Sequence, residues 1–295
     1  MSLIRIPDEG GDTMVALDTG DIIGPMFAKS AEQMKDVFDN IPNFSCRDDD
    51  VMLCTFPKTG TNWVFEVIMM LMRGLADRID RSKVTTMLEF MTHDEVNSVP
   101  SPRVINTHYH PRFLPKDMAT KKIKTVLCVR NPKDTAVSYY NHMTGIRFYD
   151  YSGKWENWIR PFIHGKYELG TYSAYLNEWQ EVIEAGTGFP LHVIYFEDLK
   201  KDPASEVDKL ANFLGIDACT DLKTQIVDVC GFEKMAKDKF SEETKKAFLK
   251  GAFTFFRKGQ VGDWKNWFTV AQNEYFDAEW KKQIRGDTMF TFTND

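Results

Sequence analysis

Short apolar runs alternate with longer amphipathic segments along most of this chain. Four runs have the length and apolar content of buried strands, and a turn follows each of them. They are Val51–Pro57, Arg103–His108, Thr125–Arg130 and Leu191–Phe196. The segments predicted as helices are Thr61–Leu75, Asn131–Met143 and Gly170–Ala185. From Asp202 onward the pattern is mostly helical, with loops within Lys250–Thr269.

This alternation predicts an α/β fold, a single domain with a central parallel sheet flanked by helices. No repeat, low-complexity tract or Pro/Gly/Ser linker divides the chain. We therefore expect one domain over residues 1–295, in which residues 1–48 remain poorly assigned. Parallel sheets bind ligands at the carboxyl ends of their strands, so chemistry is expected where a strand meets a helix.

The first such junction is TFPKTGTNW, residues Thr55–Trp63. A helix N-terminus offers unpaired N–H groups and the positive end of its dipole, and Lys58 adds a full charge. The Walker pattern is absent because the lysine precedes the single glycine. The segment predicts an anion-binding loop unlike that of ordinary NTPases, with a plain helix start as an equal alternative.

Two further segments carry cations beside turns. In VRNPKD a helix start explains Asn131, Pro132 and Asp134, but it leaves Arg130 and the later Ser138 as a candidate phosphate site. In FFRKGQVGDWK two adjacent cations and two glycines let backbone N–H groups approach a phosphate, although a solvated basic turn explains them too. Separately, His108 ends a predicted strand and is a candidate general base, although a lone histidine identifies little.

Composition narrows the ligand class. The net charge of −6, from 37 basic and 43 acidic residues, predicts no nucleic-acid partner but leaves room for a small anionic ligand. Five widely spaced cysteines without a CxxC pair argue against a disulfide scaffold or a zinc site. No apolar stretch approaches the roughly 18 residues of a membrane span, and no signal peptide is evident. We expect a cytoplasmic protein without a membrane partner.

Together, PKTGTNW, RNPKDTAVSYYNH and RKGQVGDWKNWFT resemble the three nucleotide-binding segments of the cytosolic sulfotransferase family, in family order and at family distances. The resemblance runs from about Asp49 to the C-terminus. It implies a P-loop-like phosphosulfate-binding loop and sulfuryl transfer from 3′-phosphoadenosine-5′-phosphosulfate (PAPS) without a metal. The implied acceptor is the hydroxyl or amine of a small, hydrophobic molecule such as a phenol, steroid or alcohol.

The resemblance also implies residue roles. The 5′-phosphosulfate is assigned to Lys58, Thr59, Gly60, Thr61 and Asn62. The 3′-phosphate is assigned to Arg130, Ser138, Arg257, Lys258 and Gly259. The adenine is assigned to Trp63, Tyr195 and Phe232. In catalysis His108 is the implied general base, Lys58 stabilises the leaving oxygen, and Ser138 restrains Lys58.

Two positions depart from the family pattern. Asn106 stands where many members carry a lysine, and Asn62 replaces a threonine. We expect Asn106 to donate a hydrogen bond to a sulfuryl oxygen without supplying charge. Asn106 is the one feature that favours a catalytically impaired PAPS- or PAP-binding protein. A nucleotide kinase is a further alternative, but it predicts a Walker lysine and a magnesium-binding acidic strand end, which we do not find.

Two remaining features concern partners and the acceptor. The family's dimerisation signature is matched by Lys265, Thr269, Val270 and Glu274, which predicts a small homodimer interface; an ordinary loop leading into a helix after Asn273 is the alternative. Aromatic residues of Thr144–Ser152 and Lys239–Phe256 either line an apolar acceptor pocket or pack in the core. They are Phe148, Tyr149, Tyr151, Phe253 and Phe255.

Overall fold

The strands belong to two sheets in the part of the chain described by the computed structural model, residues 2–25, 29–78, 82–238 and 258–293. An antiparallel N-terminal sheet contains β1 (Ser2–Pro7), β2 (Thr13–Asp18) and β3 (Ile23–Gly24). The central sheet is parallel and has the order β5-β4-β6-β7. Its strands are β4 (Val51–Thr55), β5 (Val104–Thr107), β6 (Lys124–Val129) and β7 (Leu191–Tyr195).

Twelve α-helices lie within the described residues. The first six are α1 (Ala31–Asn40), α2 (Thr61–Arg73), α3 (His93–Ser98), α4 (Asp117–Thr120), α5 (Pro132–Met143) and α6 (Trp155–Ile163). The others are α7 (Tyr172–Ala185), α8 (Phe196–Lys201), α9 (Pro203–Leu214), α10 (Thr220–Val229), α11 (Phe232–Asp238) and α12 (Val270–Gln283). The predicted parallel sheet flanked by helices is confirmed.

Side-chain alternation along β4 explains why helices cover both faces of the sheet. Successive side chains of a strand point to opposite faces. Met52 and Cys54 therefore join the apolar core beneath α5, α6 and α7, while Val51 and Leu53 join the core beneath α2, α9 and α10. All five residues of β4 are buried, as expected for an inner parallel strand.

The predicted strands end slightly too late. β4 stops at Thr55, opposite Cys128 of β6, and Pro57 has no N–H with which to extend the ladder. β5 and β6 end at Thr107 and Val129, so His108 and Arg130 each lie one residue beyond a strand. These terminal shifts bring the chemically important residues into the loops that follow the sheet.

The N-terminal sheet was not predicted. It packs on the main core through Ile6, Met14 and Ala16, and the Tyr151 hydroxyl donates a hydrogen bond to Asp8 at 2.8 Å. The Leu169 amide also donates to the Ile23 carbonyl at 2.7 Å. Residues before β4 are therefore attached to the same core as the central sheet.

Candidate active site

The ends of three neighbouring strands bring the predicted chemical segments together. In the register of the sheet Cys54 lies opposite Thr107, and Thr55 lies opposite Cys128. The loop after β4, His108 after β5 and Arg130 after β6 consequently leave the same edge of the sheet. The sheet therefore assembles the first two predicted junctions with the candidate base.

The loop after β4 depends on unusual backbone conformations. Lys58 has φ +72° and Gly60 has φ +127°, which L-residues adopt rarely. A Cβ at Gly60 would lie 3.1 Å from the Cys128 sulfur and 3.3 Å from the Phe196 ring. Glycine is therefore required at this position both for its conformation and for its lack of a side chain.

Thr59 holds this loop against β6. Its hydroxyl lies 2.8 Å from the Phe56 carbonyl oxygen and 3.0 Å from that of Cys128, and the Cys128 thiol donates to the Thr59 carbonyl. The fully buried Thr59 side chain is thus bonded to protein carbonyls. Its contribution to a phosphosulfate site is to fix the shape of the loop.

The N-terminus of α2 has the arrangement expected of an anion site. Gly60 is the N-cap and provides no capping side chain, and the first backbone bonds to its carbonyl come from Trp63 and Val64. The amides of Thr61 and Asn62 precede those bonds. The Thr61 hydroxyl lies 2.8 Å from that of Thr55, which links the helix start to the end of β4.

The tautomer of His108 follows from its contacts. Its Nδ1 lies 2.8 Å from the Thr55 carbonyl oxygen and 2.9 Å from the Thr55 hydroxyl. A carbonyl oxygen only accepts hydrogen bonds, so Nδ1 carries the proton and the lone pair of the neutral ring resides on Nε2. Burial, Lys83 and Lys58 hold the pKa of His108 well below its usual value, against the opposing effect of the Thr55 bond. The ring is therefore neutral at pH 7.

Glu89 fixes the backbone on the other side of the histidine. The His108 amide donates to Glu89 Oε1. Burial raises the pKa of the Glu89 carboxyl to about 7, while this amide and the charge of Lys83 oppose the rise. Glu89 Oε2 is buried and has no hydrogen-bond partner among the described residues.

Arg130 connects the first and third predicted segments. Its Nη1 donates to the Lys58 carbonyl at 3.2 Å, and its Nη2 donates to the Gln260 carbonyl at 3.3 Å. The guanidinium lies over the Phe196 ring, 4.1 Å from its centroid. A cation expected to bind phosphate thus also holds two loops together.

The segment around Gly259 is attached to α5 by an acidic side chain. Asp134 accepts hydrogen bonds from the amides of Gly262, at 2.7 Å, and Trp264, at 3.0 Å. Lys258 pairs with the buried Asp263 at 2.7 Å but remains 45% exposed, so it is accessible to a ligand. Arg257 lies outside the described residues.

The three residues assigned to adenine have different surroundings. The Phe232 ring occupies the space beside Gly259, where a Cβ would lie 2.1 Å from it. Trp63 is partly buried against the same core as Phe232, and its ring lies 5.6 Å from that of Phe196. The Tyr195 ring faces Phe292 at 5.9 Å, and its hydroxyl receives a hydrogen bond from the Thr291 backbone. Trp63 and Phe232 therefore have better support as adenine contacts than Tyr195.

The expectation for Asn106 is wrong. The side chain is fully buried, and its Nδ2 donates to the Lys83 carbonyl at 2.8 Å and to the Thr86 hydroxyl at 3.3 Å. Both amide hydrogens are used within the protein. Asn106 therefore anchors the short 3₁₀ turn Lys83–Thr86 instead of contacting the sulfuryl group.

The aromatic residues expected at an acceptor pocket belong largely to the core. Tyr149 is buried and donates to Glu168 at 2.5 Å, and Tyr151 is buried and donates to Asp8. Phe148 is partly buried against the same core. For Tyr149 and Tyr151, core packing is the correct alternative. Phe253 and Phe255 lie outside the described residues.

Four residues near His108 were missed as candidates. Thr55, Lys83 and Glu89 act on His108 through the contacts above. His142 lies one helical turn after Ser138 on α5, and its pKa is lowered by burial and by Lys58, Lys83 and His108. Thr55 stood beside the predicted loop, but nothing in the pattern around Lys83 and Glu89 indicated a role.

The predicted dimer segment is on the surface. Lys265 lies in the 3₁₀ turn Asp263–Asn266, and Thr269 caps α12 through its bond with the Gln272 amide. The helix begins at Val270, before the start after Asn273 that the alternative predicted. Val270 is 75% exposed, an unusual degree for an apolar residue at the start of a helix.

Two searches of the described residues gave no positive result. None of the helices there is both long and apolar enough to cross a membrane. The same part of the chain contains no group of three or more His, Cys, Asp or Glu side chains placed to hold a metal ion.

Comparison with known proteins agrees with this geometry. The family model for the sulfotransferase domain matches residues 48–288. Sulfotransferase 1A1 of Mus musculus is 33% identical over 279 residues, covering 90% of this chain and 92% of the relative. Sulfotransferase 1B1 of Canis lupus familiaris is 33% identical over 266 residues, covering 85% of this chain and 89% of the relative.

Solved structures show the same likeness. Mouse sulfotransferase SULT7A1 complexed with PAP superposes with a TM-score of 0.74 at 28% identity, covering 90% of this chain and 94% of that one. Retinol dehydratase in a complex with retinol and PAP has a TM-score of 0.77 at 19% identity, covering 97% of this chain and 94% of that one. At that identity the second likeness concerns the fold alone.

Proposed function

The chain belongs to the sulfotransferase family and is a PAPS-dependent sulfotransferase, and we propose that it sulfates the hydroxyl or amine of a small hydrophobic molecule, such as a phenol, steroid or alcohol, with His108 as the general base. One observation carries the proposal. The neutral His108 ring has its proton on Nδ1, bonded to Thr55, and it lies at the sheet edge where the Lys58 loop enters α2.

The site is suited to the donor for reasons of charge and shape. The uncapped N-terminus of α2 and the glycine at position 60 form a cradle for the 5′-phosphosulfate, with Lys58, Thr61 and Asn62 as its polar groups. Thr59 shapes this cradle. We assign the 3′-phosphate to Arg130, Ser138, Arg257, Lys258 and Gly259. We assign the adenine to Trp63, Phe232 and Tyr195.

His108 performs the proton transfer in the proposed mechanism. Its Nε2 accepts the proton of the acceptor hydroxyl while that oxygen forms a bond to sulfur. The bond between sulfur and the bridging phosphate oxygen breaks, and Lys58 stabilises the negative charge that this oxygen acquires. When bound, PAPS supplies the sulfuryl group and leaves as PAP. Ser138 lies on the face of α5 that also carries His142, and we propose that it restrains Lys58 until the acceptor is present.

An assay with labelled PAPS tests this function. The protein is incubated with donor and a panel of phenols, sterols, primary alcohols and amines, with and without magnesium. We expect label to pass to one or more hydrophobic acceptors at the same rate in both conditions. The binding of PAP is measured in parallel by calorimetry.

The same assay separates the second candidate, a catalytically impaired PAP-binding protein. The loss of a family lysine at Asn106 favours that candidate. Tight PAP binding without transfer to any acceptor of the panel would establish it and overturn our proposal. Magnesium-dependent phosphate transfer would indicate the nucleotide kinase alternative.

We further propose that residues 1–295 form one domain and that the protein is cytoplasmic. The bonds of Asp8 and Ile23 to the main core support the inclusion of residues 1–48. We also propose a homodimer through Lys265, Thr269, Val270 and Glu274, all of which are exposed.

A further inference from the structure

The segment 83–89 runs along the outer edge of β5, next to the candidate base. Met87 forms a parallel bridge with Asn106, and the Leu88 amide donates to the Asn106 carbonyl at 3.0 Å. The Thr86 hydroxyl donates to the Val104 carbonyl at 2.6 Å. Together with the side-chain bond from Asn106 to the Lys83 carbonyl, these contacts hold the turn firmly on the strand.

This turn places a cation inside the protein. Lys83 is only 7% exposed, and its Nζ lies 3.4 Å from the Met87 sulfur, a weak acceptor. A buried ammonium is costly unless opposite charge compensates it. Glu89, also buried and two residues beyond Met87, supplies a carboxylate within the range of Lys83, and that carboxylate receives the His108 amide.

We propose that Lys83 is a positioning residue of the catalytic centre, which supplies from the neighbouring turn the positive charge that β5 lacks at Asn106 and which acts on His108 directly and through Glu89. This inference rests on the assignment of His108 as the general base. The side chain that replaces the family's lysine thus has a different task, because Asn106 holds the backbone of the residue that carries the cation.

The charges around His108 define what Lys83 does. Lys58 faces the ring from the loop after β4, His142 from α5, and Glu89 and Lys83 from the segment beside β5. The ammonium of Lys83 lowers the pKa of His108 and opposes the rise that burial causes in Glu89. It therefore keeps the base neutral and favours the ionised carboxylate that holds the His108 amide.

Substitution of Lys83 by methionine removes this charge while retaining most of the side-chain length. Without the nearby cation the pKa of His108 rises, so the acid limb of the pH profile of kcat/KM for the acceptor moves to higher pH. We expect kcat to fall on the order of tenfold because the base is less well positioned. PAP affinity should stay within about twofold, since the donor cradle lies on the Lys58 side.

K83R is the matched control, because it retains the charge. We expect K83R to keep the wild-type acid limb and most of kcat, while both variants keep cooperative thermal unfolding. An acid limb that K83M leaves unmoved, or equal losses in K83M and K83R, would show that Lys83 only packs and would overturn the inference. Wild-type turnover in His108→Ala would instead contradict the base assignment, so the two failures are distinguishable.

Discussion

The two sides of the candidate active site are built on different physical principles. The donor side presents charge and backbone N–H groups: Lys58 and the α2 N-terminus on one loop, with Arg130 joining it to the segment at Gln260. The acceptor side buries titratable groups whose environments favour their neutral forms, namely His108, Glu89, His142 and Glu168.

This difference matches two different tasks. A donor with two anionic groups is held by fixed positive charge, which a helix terminus and cations provide without titrating near pH 7. Removal of a proton from the acceptor requires a neutral base, which burial provides at His108. If the two sides are functionally separate, substitutions on one side should leave the property of the other nearly intact.

The largest effect should follow Lys58→Met, on the donor side. The substitution removes the charge that stabilises the leaving oxygen, and we expect kcat to fall about 10²–10³-fold with weaker PAP binding. K58R should recover part of the affinity. Steady-state kinetics and calorimetry with PAP measure both properties. Unchanged PAP affinity in K58M would place Lys58 outside the donor cradle.

Gly60→Ala should damage the same side through the backbone. A methyl group there meets Cys128 and Phe196 in a conformation with φ +127°, which costs about 1–3 kcal/mol of stability or forces the loop to shift. We expect PAP affinity to drop about tenfold for about 1.4 kcal/mol of lost binding energy. Gly74→Ala is a control for positive φ alone, because Gly74 has φ +66° and a Cβ there meets nothing within 4 Å. Equal PAP affinity in G60A, G74A and wild type would refute the cradle.

Glu168→Gln should change the acceptor side through its pH dependence. Burial raises the pKa of Glu168 to about 7 although Tyr139 and Tyr149 donate hydrogen bonds to it. In the unfolded chain the carboxyl ionises near pH 4.5, so the wild type loses stability as the pH rises from there to about 7.

The glutamine variant lacks this loss because it does not titrate. Relative to the wild type it should gain about 1–3 kcal/mol between pH 4.5 and pH 7, measured by urea unfolding at several pH values. PAP affinity should not change. A stability difference that is constant with pH would contradict the raised pKa.

The smallest effect on catalysis should come from Val270→Glu, remote from both sides. If Val270 lies in a dimer interface, a buried carboxylate dissociates the dimer, which sedimentation velocity detects, while turnover changes less than about twofold. Leu75→Glu is the control, since Leu75 is another exposed apolar residue, at 55%. An unchanged sedimentation coefficient in V270E would remove the proposed interface.

The donor side was largely predictable because its signals are local. Lys58, Gly60 and the helix start lie within a few residues of each other, and Asn131 caps α5 ahead of Pro132 as the pattern indicated. The strand periods also predicted the parallel sheet, whose register brings these loops together.

The acceptor side was not predictable because it depends on side-chain contacts between separate segments. Glu89 reaches His108 across 19 positions, and Asn106 reaches Lys83 across 23. Local patterns also misassigned polar side chains that serve distant partners. Asp134 follows the helix start as a first-turn acid would, yet it binds the amide of Gly262 at a separation of 128 positions.

The central claim is that the base and the donor site are separable, and His108→Ala tests it most directly. In a single turnover with PAPS-loaded enzyme, the transfer rate should fall about 10²–10⁴-fold, while PAP affinity equals that of the wild type. His164→Ala, which removes an exposed histidine bonded to Tyr275, should leave both quantities unchanged. A wild-type transfer rate in H108A, or loss of PAP binding together with loss of transfer, would contradict the account.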